Sequence, residues 1–255
     1  MRHWLLFLLL AFAFAFAAPP ARAERVVANL STDLIEITSS YDGERITFFG
    51  AIEPQAGDEQ AATGPYHVVI VVTGPSQDRL ARQKTRRFGI WLNTDEVLFE
   101  RFPSFYQVLS SGRLLDITDP TTLAVQQILP ETQPGVSGDA GWWRSSVFGR
   151  ELVRLMTERG LFGLSQTGVQ FQSETFYSAR LVLPAEAPPG PYLAHTYVFK
   201  NGEIVARAAH GFAVRKTGFE RFLAISAVQY PLLYGIACVA LALFTGWLGG
   251  IIFRR

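Results

Sequence analysis

Cysteine is all but missing from this sequence: Cys238 is the only one in 255 residues. A disulfide within the chain is therefore excluded, as are a CxxC redox pair and a cysteine-rich metal site. Cys238 also lies far from the N-terminus, so a lipid-modified N-terminal cysteine is excluded. Methionine is nearly as scarce, with Met156 the only one after Met1, which leaves a methionine-lined copper site without ligands. His67, His195 and His210 stand far apart with no HxH or HxxxH spacing, and structural roles suit them better than a shared zinc or copper ion. There is no phosphate-binding P-loop, no GxGxxG and no GxSxG elbow. No cofactor, no metal and no catalytic residue is expected.

Charge is missing over one long stretch. No charged residue occurs between Arg221 and Arg254. The apolar run from Pro231 to Phe253 would form a helix on the order of 34 Å long, enough to cross a hydrocarbon core with a little tilt. Pro231 suits a first helical turn, Tyr230 and Tyr234 an interfacial belt, and Arg254 and Arg255 a basic stop. A transmembrane helix is predicted over 230–253, with 217–229 as juxtamembrane segment and 254–255 as cytoplasmic tail. At the other end, Met-Arg-His, an apolar run from Trp4 to Ala18 and an Ala21-x-Ala23 site read as a signal peptide over 1–23. An uncleaved anchor is the alternative. Arg215, Lys216 and Arg221 before the span outnumber Arg254 and Arg255 after it, but a cleaved signal overrides that count and places the body outside the cytoplasm. Without residues 1–23, 254 and 255, the chain keeps 19 basic against 22 acidic residues. Such a balance argues against a nucleic-acid partner.

What fills the body, 24–216, is mostly strand pattern. "DLIEITSSY", "ERITFFGAI", "YHVVIVVTGP", "RRFGIWLNTDEVLFERF" and "SFYQVLSS" come first, then "FYSARLVLP", "GPYLAHTYVFK" and "EIVARAAHGFAVRK". Asp42-Gly43 and Asn201-Gly202 are hairpin-turn signals. Between the two groups lies a helical insertion over about 118–160. Asp119 caps it, Pro120 opens it, Pro130 stops "TTLAVQQIL", and Ser145 or Ser146 caps a second helix that ends at Gly160. The reading is mainly β: an immunoglobulin-like sandwich with a helical insertion, followed by one C-terminal transmembrane helix. Two separate domains is the alternative.

Three features suit contact. Trp142, Trp143 and Arg144 lie in a glycine-flanked loop that is either a recognition surface or an anchor on the core. Arg79, Arg82, Lys84, Arg86 and Arg87 read as a solvated hairpin, with an anion or lipid headgroup as the less favoured use. Cys238, Ala242, Gly246 and Gly250 recur every four residues in the membrane helix. This small-residue stripe favours close helix packing, with a second copy or another protein, over a merely lipid-facing surface.

"GPYHVVIVVTGP", "FGIWLNTDEVLFERFPSFYQVLSS" and "YPLLYGIACVALALFTGWLGGIIFRR" together resemble an alphaproteobacterial family of single-pass transmembrane proteins whose function is uncharacterised. The resemblance covers nearly all of the mature chain. It implies a bacterial inner-membrane protein with a periplasmic domain, and an association of relatives with exporters of the sulfite or sulfonate type. It carries over no site residues. The function expected is that of a non-catalytic accessory subunit contacting the bilayer and another membrane protein; a tethered ligand-binding or enzymatic domain is the alternative.

Overall fold

The structure, a computed structural model, describes residues 24–37, 43–54, 62, 64–134, 142–217 and 219–252. The predicted signal peptide and the two-residue tail lie outside the described residues, as does Asp42 of the first turn signal. Strands run β1 Arg25–Leu30, β2 Leu34–Ile37, β3 Gly43–Glu53, β4 His67–Thr73, β5 Ser76–Arg87, β6 Ile90–Pro103 and β7 Tyr106–Ser110. After the helical segment come β8 Phe162–Ser165, β9 Val169–Phe171, β10 Phe176–Pro184, β11 Gly190–Lys200 and β12 Glu203–Lys216. The helices are α1 Leu114–Ile117, α2 Pro120–Val125, α3 Trp142–Glu158, α4 Phe219–Gln229 and α5 Pro231–Ile252, with a 3-10 turn at Pro130–Thr132. The chain is mainly β, as the alternation predicts.

Two sheets pack together. One has the order β1-β3-β10-β9, the other β2-β12-β11-β4-β7-β8. Phe48 of β3 meets Phe212 of β12 edge-on at 6.4 Å between ring centroids, which seats one sheet on the other. The expected immunoglobulin-like sandwich is built of antiparallel sheets. Here β2 pairs with β12 and β7 with β8 in parallel at the sheet edges, and it is the mainly β class that stands.

The run in β4 does not alternate: Val68, Val69, Ile70, Val71 and Val72 are all buried. Both of its faces are covered, as an unbroken apolar strand requires. Val68, Ile70 and Val72 lie level with Val198, Thr196 and Ala194 of β11. Val71 and Thr73 lie level with Val108 and Tyr106 of β7, and the Tyr106 hydroxyl donates to the Gln127 carbonyl oxygen at 2.6 Å. The segment holding α1 and α2 thus lies over this second face, with Leu123 and Ile128 fully buried.

The cap predicted at Asp119 is present, but α1 at Leu114–Ile117 precedes the predicted start at about 118, and the rest departs further. Asp119 accepts from the Thr121 and Thr122 amides at 2.8 and 3.1 Å, and Pro120 occupies the first turn. However, α2 stops at Val125 because Gln127 turns to φ 50°, and Pro130 opens the 3-10 turn instead of ending a helix. The next helix, α3, begins at Trp142, so neither Ser145 nor Ser146 caps it. Ser145 is buried inside the helix, and the Ser146 hydroxyl donates to the Trp143 carbonyl.

The β5–β6 hairpin is a long arm. The Gly74 amide donates to the Phe105 carbonyl and the Ser104 amide to the Pro75 carbonyl, so the β4–β7 ladder runs on almost unbroken into β5–β6. At its root Pro75 lies against Gly190, where an added Cβ would sit 2.9 Å from Pro75 Cγ. Gly190 is paired with Val214 of β12. The arm therefore leaves the sheet at the end from which β12 runs out toward α4 and α5.

Candidate interaction surface

A groove of about 880 Å³ separates the arm from α3. Its walls are Leu80, Arg82 and Lys84 on one side and Phe148, Leu152 and Leu155 on the other, with Arg150, Glu151 and Arg154 also lining it. The helix is seated by Val153 and Met156, both buried, and by Gly149, where an added Cβ would lie 2.8 Å from Pro134 Cβ. The spacing of Phe148, Leu152, Leu155 and Met156 in the sequence predicts one apolar face for this helix, yet Leu155 is 44% exposed and opens onto the groove. Arg154 is paired with both Glu151 and Glu158, and these partners, Glu151 first, push its guanidinium above its ordinary range. On the arm, Arg82 pairs with Glu96 at 3.4 Å. Exposed pairs of this kind add little stability, but they hold charge in place around an apolar floor.

Trp142, Trp143 and Arg144 form the first turn of α3, which corrects their placement in a loop. Hydrogen bonding of the helix simply begins three residues before the serines that suggested a cap. Trp143 is 65% exposed and Arg144 is exposed, so neither anchors the core. Cys238, Ala242, Gly246 and Gly250 all lie exposed on α5, and a Cβ added to Gly246 or Gly250 would meet nothing. No residue of α5 is buried.

The histidines remain apart. His210 Nε2 lies 3.0 Å from Asp33 Oδ1, His195 stacks on Tyr197 at 6.3 Å, and His67 lines a separate crevice with Asp116 and Asn201. Among the described residues no group of three or more His, Cys, Asp or Glu could hold a metal ion. One polar cluster escaped the sequence reading because its members are remote in the chain. Glu24 Oε1 accepts from the Tyr66 hydroxyl at 2.9 Å and from Lys200 Nζ at 3.0 Å, and that ammonium sits 5.0 Å from the centre of the Tyr66 ring. The Glu24 hydrogen bond raises the Lys200 pKa, while burial first, then Glu24, raises that of Tyr66. This clamp joins strand ends and is structural in character.

The family model described as "Putative transmembrane protein (Alph_Pro_TM)" matches residues 25–255. The chain belongs to the Alph_Pro_TM family. No curated protein matches it. An Alph_Pro_TM protein needs a membrane segment, and among the described residues α5 is the one helix long and apolar enough to cross a bilayer. Family and helix together fit a single-pass membrane protein.

Proposed function

We propose that this Alph_Pro_TM protein is a non-catalytic accessory subunit of a membrane complex. A periplasmic β body is held in the bacterial inner membrane by α5, with residues 1–23 removed on export, and docks a second membrane protein. The groove between the arm and α3 carries this reading. Its lining joins Leu80, Leu152 and Leu155 with Arg82, Lys84, Arg150 and Glu151, the mix of apolar and charged side chains found at a protein interface. Trp143 and Arg144 extend the same helix with residue types that dominate interface hot spots. The family match begins at Arg25, just past the predicted cleavage site, which supports the leader being a separate piece. An exporter of the sulfite or sulfonate type is the partner this reading favours.

The test is a photo-crosslinking residue at Leu155 in the full chain, expressed at native level in intact membranes. A crosslink to an exporter or another inner-membrane protein is expected, and alanine at Trp143 and Arg144 should reduce its yield. Recovery of no partner, or turnover of a small molecule by the purified chain, would overturn the reading.

A further inference from the structure

The outer end of the arm pairs arginine with apolar side chains, Arg87 with Ile90 and Arg86 with Trp91, and ends in an aromatic ring in solvent. Phe88 and Gly89 form the turn with φ of 51° and 82°, the left-handed pair of a type I′ hairpin. Asparagine, aspartate or glycine is the usual choice there; a bulky side chain at that φ is strained. Phe88 is nonetheless present and 103% exposed, with Trp91 beside it at 67% and with Ile90 and Leu92 exposed. Among the described residues no third strand pairs with this ribbon. Arg86 and Arg87 stand level with Trp91 and Ile90, Lys84 lies further in opposite Asn93, and no acidic residue occurs between Asp78 and Asp95.

We propose that this tip is a second membrane contact. Phe88, Ile90, Trp91 and Leu92 enter the interface of the bilayer that α5 crosses, and Lys84, Arg86 and Arg87 bind its anionic headgroups. The inference rests on α5 spanning the membrane and is independent of any docking partner.

Position and reach support it. Strands β4 and β12 are both antiparallel to β11, so they run the same way, and the arm continues β4 past the end where β12 stops. Between Lys216 and Pro231 the chain has only α4 and the residues Thr217, Gly218 and Tyr230. Eleven helical residues cover about 16 Å, and three further residues can add at most about 10 Å. Thr73 lies level with Gly211, five residues before β12 ends at Lys216, so about nine of the residues from Gly74 to Arg87, roughly 31 Å at strand rise, extend past that end. The tether is shorter than the arm. A sheet held that close to the bilayer brings the tip to the lipid surface. There the composition fits: aromatic rings favour the interface, and basic side chains are drawn to anionic lipid. A protein groove would suit the apolar tip alone, but a run of cations unrelieved by acid complements an anionic surface.

The test uses the full chain in a Cys238→Ala background. Ile90→Cys carries an environment-sensitive fluorophore, and the protein is reconstituted into vesicles of phosphatidylethanolamine and phosphatidylglycerol. Blue-shifted emission is expected, quenched several-fold more by a nitroxide at a shallow acyl position than by aqueous iodide. The same label at Asn201→Cys, on the opposite end of the sheet, should show the reverse. Adding Arg86→Glu and Arg87→Glu should cut the lipid quenching at least about threefold, each cation contributing on the order expected near an anionic surface. Quenching by iodide alone, or shielding from both quenchers as under a protein cover, overturns the proposal. Undiminished lipid quenching in the charge-reversed variant overturns the headgroup role.

Discussion

Single residues decide how closely these layers meet. Gly50 of β3 has no room for a side chain: a Cβ there would lie 2.4 Å from the Tyr177 hydroxyl oxygen and 2.6 Å from the Val27 carbonyl oxygen. Gly50→Ala should therefore force β1 or β10 aside and destabilise by about 1–3 kcal/mol, read as a lower melting temperature of the full chain in detergent. An unchanged melting temperature would show that the strands yield freely. His195 makes a different prediction. Burial holds its pKa below the ordinary histidine value, so the unfolded chain takes up the proton first as pH falls. The stability it contributes is complete above about pH 6.5 and is lost as pH falls through its depressed folded value. Melting temperature measured across this range should decline with acid, and His195→Gln should flatten the slope; parallel profiles would refute it. Legibility at this scale follows locality. Asp119 was readable as a cap because its partners are two and three residues on; hydrogen bonds from the Thr122 hydroxyl first, then from the Thr122 and Thr121 amides, hold its carboxyl down to about 2. The room denied at Gly50 is set by Tyr177, which no local pattern reveals.

Elements were legible where turn chemistry and alternation agree. Asn201 and Gly202 adopt φ of 53° and 88°, the hairpin their sequence predicts, and β3, β10, β11 and β12 follow the alternation. Strands β1, β8 and β9 went unread; β8 and β9, at four and three residues, are too short for a period to register. The arm was read as strands but not as an arm. "RRFGIWLN" has the composition of a buried strand, and only the pairing of β5 with β6 alone shows that its end has no sheet to cover it. Helix α5 presents the same problem in another solvent. Among the described residues none of its side chains is buried, so lipid or another helix must cover them. If the stripe of Cys238, Ala242, Gly246 and Gly250 meets a second helix, Gly246→Leu or Gly250→Leu should weaken association by roughly 1 kcal/mol or more, because leucine holds the two backbones apart. A helix-association assay in membranes reads this directly. Both variants associating like the parent would leave the stripe facing lipid.

For the molecule as a whole, the proposed orientation predicts that a periplasm-dependent reporter fused after Lys216 is active and one fused after Arg255 is silent. An active fusion after Arg255 would reverse the topology. If the chain is exported and its leader cleaved as proposed, the Glu24 clamp adds a constraint on the order of events. Its members come from positions 24, 66 and 200, so it cannot close until β11 has emerged from the translocation channel, and until then β1 is held mainly by β3. The clamp lies at the Lys200 end of β11, whereas the chain departs for the membrane from the Gly190 end. Closure draws Glu24 about a strand's length, roughly 35 Å, from that exit. A leader still lodged in the same bilayer would have only Pro19–Ala23, about 17 Å of chain, to bridge the gap. Leader release should therefore come before the clamp closes, and the mature chain should begin at Glu24. A cleavage-blocked Ala23→Arg chain should consequently leave Lys200 open to amine-reactive reagents that the processed protein resists. Equal protection of Lys200 in both forms would show that maturation does not wait on the peptidase.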